Sequence, residues 1–179
     1  MQKEGLNWNV KTILEKRDGD INTCESPEER LRWLEDNKPY ETSTVKGNLL
    51  LDDGMDLLLS LLTGQGGDAY ATGTAEIGVS DDDTAAVRTQ DLLDTTEEGE
   101  EDWQGMEENY PTAPAENDAE DGRSVKFQSS WGADDGNFAW KSWGVRNKAE
   151  SGTLLNRKVE SLGTKTTGTW SLTIEISLS

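Results

Sequence analysis

Hydrophobic and polar residues alternate most strictly at the C-terminal end. There Trp170, Leu172, Ile174, Ile176 and Leu178 are interleaved with Ser171, Thr173, Glu175, Ser177 and Ser179. A period of two places the first set on one side of a strand, so this run predicts a strand with one buried face. RSVKFQSSWG and GNFAWKSWGVRN carry the same signature. In the second, alternation sends Phe138 and Trp140 to one face and Trp143 to the other, unless a bulge intervenes. At the other end of the chain, LNWNVKTILEKR predicts a strand from about Trp8 to Arg17, with a turn at Asp18-Gly19-Asp20. SPEERLRWLEDN starts as helices start: Ser26 as N-cap, Pro27 at the first position and Glu29 closing a capping box. YETSTVKGN is β-prone and is expected to pair with the first strand, which makes residues 26–37, with a helix at about 27–36, an insertion between two hairpin strands.

GNLLLDDGMDLLLSLLTG predicts the main helix over about 48–63, capped by Asn48 and stopped by Gly64. Asp52, Asp56 and Ser60 fall on one polar stripe and leucine or methionine fills the rest, so most of this helix should be buried. GTAEIGVS reads as a strand. Residues 94–122 are acidic and broken by Gly105, Pro111 and Pro114, which predicts irregular structure pinned at Trp103, Met106 and Tyr110. The sum is a mainly β chain: one antiparallel β-sandwich domain over residues 1–179, with one main buried helix and one short inserted helix.

Charge narrows the class of partner. The chain has 17 basic and 36 acidic residues, a net charge of −19. Residues 68–121 hold 18 of the acidic side chains and a single basic one, Arg88. Such a surface repels nucleic acid. It also fits a high-salt environment, where screening mutes the self-repulsion of an acidic surface. The N-terminus lacks the apolar centre of a signal peptide, and the longest apolar run, near Leu49 to Leu62, is broken by three aspartates, so neither secretion by that route nor membrane insertion is expected.

Candidate chemistry is sparse. The chain has no histidine and one cysteine, Cys24, which removes the commonest general base, any intrachain disulfide and a thiolate zinc cluster. The consecutive Asp81, Asp82 and Asp83 raise the question of a metal site, a catalytic acid cluster or a turn. DDDTAAVRTQDL lacks the alternation, the glycine and the final glutamate of a calcium loop, and consecutive side chains diverge, so a turn is expected, with Asp83 capping a short helical turn. No carboxylate pair stands out for a hydrolase, and no phosphate loop or dinucleotide fingerprint occurs. No catalytic, cofactor-binding or metal-ligating residue is assigned. Seven tryptophans in a chain only 32% hydrophobic are a heavy aromatic load. Interfaces favour such rings, so Trp103, Trp131, Trp143 and Tyr110 are interface candidates and self-association is expected. The cluster Trp131, Phe138, Trp140 and Trp143 has a second reading, a stacking platform for a host-surface glycan.

Read in order, GNLLLDDGMDLLLSLLTGQGG, IGVSDDDTAAVRTQDL, MEENYP, NFAWKSWGVRN and GTLLNRKVESLGTKTTGTW resemble a family of small virion proteins of tailed viruses. The resemblance covers roughly residues 46–179 and lies in the ordered set of blocks, none of which is a catalytic signature. It implies a non-enzymatic virion component, on the capsid surface or in a tail fibre or baseplate. Its partners would be other virion proteins and further copies of itself. The family's turn after the strand IGV supports the turn reading of the aspartates. The acidity implies a virus of a salt-loving host, and a host-attachment adhesin is the alternative role.

Overall fold

The computed structural model describes residues 7–96, 100–116, 123–148 and 152–179. Ten strands, β1 (Trp8–Arg17), β2 (Glu41–Lys46), β3 (Leu49–Leu50), β4 (Glu76–Ser80), β5 (Glu101–Gly105), β6 (Ala115–Glu116), β7 (Arg123–Trp131), β8 (Ala139–Arg146), β9 (Leu154–Thr164) and β10 (Thr169–Leu178), are joined by two helices, α1 (Pro27–Asp36) and α2 (Asp52–Thr63). The strands form two five-stranded antiparallel sheets, ordered β2-β1-β10-β7-β6 and β3-β9-β8-β4-β5. They face each other across one apolar core, a β-sandwich.

The alternation of β10 explains its central place. Ladder partners share a face, so register builds three rows of inward side chains across the first sheet: Val10–Ile176–Val125, Thr12–Ile174–Phe127 and Leu14–Leu172–Ser129. The opposite sheet answers with Ile77 and Val79 from β4 beside Val145 and Trp143 from β8. Trp143 Nε1 donates to Thr12 Oγ1 at 3.0 Å, tying one sheet to the other through an otherwise orphaned hydroxyl. At one end Trp140 packs edge-on against both Trp131 and Trp170, with ring centroids 4.8 and 5.0 Å away. Leu178 departs from the expected pattern: it is 40% exposed at the end of the strand.

The polar side of β10 is not solvated. Ser171, Thr173 and Ser177 are buried. Arg17 on β1 donates to Asn37 O, just past α1, at 2.8 Å, and Arg30 of α1 clasps Glu107 at 2.6 and 3.0 Å beside β7. Strands β1 and β7 flank β10, so the inserted segment is tied to the surroundings of both neighbours of that strand. Ser26 caps α1 as its sequence requires, accepting from Glu29 N at 3.2 Å, while Glu29 reaches back to the amide of Glu25.

Three expectations are revised. Helix α2 begins at Asp52, not Asn48; Leu49 and Leu50 are taken into β3 against Arg157 and Asn156. Nor is the helix mostly buried. Gly54 is its one buried residue, because a Cβ there would sit 2.6 Å from the Leu155 carbonyl oxygen. The helix docks backbone-first through that glycine, and this turns Leu58, Leu59 and Leu62 outward. Residues 94–122 are not irregular throughout: β5 and β6 lie within them, each an edge strand of one sheet. Residues 97–99 and 117–122 of that segment lie outside the described residues. Of the three expected anchors, Met106 packs on the main core and Trp103 on a smaller one, whereas Tyr110 belongs to neither cluster.

Candidate functional site

The aspartate run follows β4 directly, and the chain bends there without forming a helical turn. Its first two members are buried and committed. Asp81 Oδ1 accepts from Thr96 N at 2.8 Å, and its second oxygen accepts from the Thr96 hydroxyl. Burial pushes the Asp81 carboxyl up, but the Thr96 hydrogen bonds outweigh it and hold the group below its ordinary value. Asp82 accepts from Thr84 Oγ1 at 2.8 Å and forms an ion pair with Arg157, whose side chain is wholly sealed from solvent. Burial again opposes ionisation, and the Thr84 and Arg157 contacts again win. Asp83 is exposed and lies 3.5 Å from Lys141.

The turn therefore works as a clasp. One register row crosses all five strands of the second sheet on its outer face: Leu49, Arg157, Gly144, Gly78 and Trp103. The two glycines leave a trough. The Trp103 ring lies 2.5 Å from where a Gly78 Cβ would be, and Leu93 lies 3.3 Å from the corresponding point at Gly144. Asp81 and Asp82 hold the returning chain over this face, and Leu93 enters a second cluster with Leu51 and Leu154. Among the described residues, Arg157 Nε and Nη1 have no hydrogen-bond partner, and Asp82 is the carboxylate paired with it. A cavity of ≈ 440 Å³ lies beside this clasp, bordered by Asn48, Asp83 and Lys158.

A second buried cation was not anticipated. Lys165 Nζ donates to Gly132 O at 2.6 Å and to Asn137 Oδ1 at 3.0 Å, and the residue is fully buried. Burial pulls its pKa down, against the charges of Asp135, Asp20, Asp102 and Asp134. Burial together with Asp135 pushes Asp102 up. Perturbed groups of this kind can mark catalytic sites. Here no surface of the lysine is open to a substrate, and its bonds close the 132–137 turn. Nothing in the local sequence GTK announces this role; only the three-dimensional neighbours do.

The interface candidates part company. Trp131 and Trp143 are 0% exposed and belong to the core. The β8–β9 ladder is irregular here: between Trp140 and Ser142 strand β9 spends four residues against two of β8, simple alternation does not hold, and Trp140 and Trp143 both end in the main core. Trp131, Trp140 and Trp143 therefore present no ring face to a sugar, and Phe138, the fourth member of that cluster, is partly buried against the same core. Trp103 lies along its own sheet with the Arg146 guanidinium 3.9 Å above its ring. Tyr110 is half-buried, and burial raises its pKa.

The apolar surface lies elsewhere, on α2. Leu62 is 81% exposed and Leu59 54%. Next to them, between the helix and the open end of the sandwich, is a cavity of ≈ 370 Å³ walled by Trp8, Leu58, Leu61, Tyr70, Phe127 and Ile176. Tyr70 Oη donates to Thr153 O at 3.3 Å, and burial pushes its pKa well up. Residues 57–67, LLLSLLTGQGG, contain no charged side chain.

Among the described residues, no group of three or more Asp, Glu or Cys side chains is placed to hold a metal ion, and no helix is long and apolar enough to cross a membrane. No protein-family model, no curated protein and no solved structure matches the chain.

Proposed function

We propose that this chain is a non-enzymatic structural subunit of a tailed-virus particle, present in several copies on the capsid surface or in a tail fibre or baseplate. The observation that carries the reading is the leucine-rich face of α2: an uncharged, solvent-facing apolar surface on a chain of net charge −19. Exposed leucines grouped with an apolar cavity mark a contact surface rather than a reaction centre. The ionised groups with the strongest environments, Asp81, Asp82, Glu107 and Lys165, are bound to main chain or to partners within the fold, which leaves them to hold loops. The ordered sequence blocks supply the virion context, and the acidic 68–121 stretch supports a salt-rich one.

The test is particle composition. The protein should cosediment with purified, nuclease-treated particles at a fixed copy number, and labelling should place it on the head or the tail. A protein abundant in infected cells yet absent from particles would defeat the proposal, as would turnover of a glycan or peptide substrate by the purified chain that is abolished by Asp102→Asn.

A further inference from the structure

We infer that the α2 face is where two copies of this chain meet, in a two-fold contact that seats Leu62 of each protomer in the apolar cavity of the other. The inference deepens the subunit reading and rests on it for the expectation that copies associate. The self-complementarity is local. Leu58 lines the cavity, and Leu62 follows four residues later on the same side of the helix, about 6 Å away. A projection and a recess so close together on one surface are what an isologous contact requires, since each copy must offer both. The recess, at ≈ 370 Å³, is ample for one leucine side chain, and its lining is apolar apart from Arg123 and Ser124.

Charge selects a second copy over a charged occupant. The carboxylates of α2, Asp52, Asp53 and Asp56, all lie in its first half, while residues 57–67 carry none. An antiparallel approach through the uncharged halves keeps the two acidic ends about a helix length apart. For twelve residues that is roughly 18 Å, beyond the Debye length of about 8 Å at physiological salt.

The test is the mass of the full chain in solution, by sedimentation and light scattering at micromolar concentration in molar KCl. The wild type should be a dimer. Leu62→Glu, at a position 81% exposed, should fold with an unchanged far-ultraviolet spectrum and associate at least ~30-fold more weakly. Tyr40→Glu, at a position 61% exposed but beside Lys16 at the opposite end of β1 from Trp8, should remain dimeric. A monomeric wild type, a dimer indifferent to Leu62→Glu, equal loss in Tyr40→Glu, or a closed assembly of more than two copies would each overturn the inference. A monomer in solution that is still found in particles removes this contact and leaves the subunit reading intact. A Leu62-dependent dimer missing from particles does the reverse.

Discussion

Replacing Asp82 with asparagine tests the clasp most sharply. A run of aspartates read as a plain turn should tolerate the change. The structure says otherwise, because Arg157 is 0% exposed and two of its nitrogens already lack partners. Asp82→Asn keeps the size and an acceptor for Thr84, but leaves a guanidinium buried with no counter-charge. Breaking a buried pair from one side costs about 3–5 kcal/mol. That is a large share of the 5–15 kcal/mol typical of a folded domain. For a chain of this length each kcal/mol moves the melting temperature by about 2–4 °C, so a fall of roughly 6–20 °C is expected. Removing both partners, as Asp82→Asn with Arg157→Met, should recover most of the loss, since an apolar replacement of a buried pair is often neutral or better. Urea denaturation of the wild type, both single variants and the double variant closes the cycle. The deficit should persist in molar KCl, because buried pairs are screened far less than surface ones. An Asp82→Asn variant within about 1 kcal/mol of wild type, or a double variant as unstable as the single one, would refute the argument.

Three further outcomes are expected. Melting temperature should rise from dilute buffer to molar KCl, because residues 68–121 carry 18 acidic side chains and one basic one and screening relieves their repulsion; a flat or falling curve counts against this. The folded-state pKa values of Asp81 and Asp82 lie below the ordinary value of about 3.9, so their stabilisation is complete above that pH and is lost as pH falls through the lowered values; urea midpoints between about pH 4 and pH 2 should decline, and a rise there contradicts the assignment. Ile174→Asp places an unpaired charge in the middle of the core and should prevent folding, as should deletion from Trp170 onward, whereas Glu175→Gln removes only a 3.9 Å contact with Lys11 and should cost less than about 1 kcal/mol by thermal melting.

Features whose causes are local in the chain were legible in advance. The capping of α1, its insertion between β1 and β2, and the strand β10 all follow from neighbours a few residues apart. What was hidden depends on contacts distant in sequence. The placement of Trp143 turns on a register irregularity between β8 and β9 at Trp140–Ser142, which alternation alone does not reveal. The orientation of α2 turns on Gly54 meeting the backbone of Leu155, so leucines that looked like core became surface. Arg157 reads as an ordinary charged strand residue until the chain returns to place Asp82 on it. The uncharged run 57–67 was visible as composition, but only the docking of the helix turns it into a face. Acidic β5 looked like solvated loop because its ladder partners, Glu76 to Ser80, come from a strand rich in small residues.

The ends of the two sheets carry a consequence for crowding. An unpaired strand edge is a template on which further chains can add, and proteins held at high local density risk zipping into fibres. Here β3 and β6 offer two residues each, and β5 presents Glu101 and Asp102 on a strand whose ring is already laid in the Gly78 trough. The remaining edge, β2, bears Glu41 and Lys46 at its two ends. Among the described residues the edge strands are therefore short or carry charge, which disfavours edge-to-edge extension. Association is left to surfaces where side chains, rather than backbones, choose the neighbour, and an array of such copies can be dense without becoming amyloid.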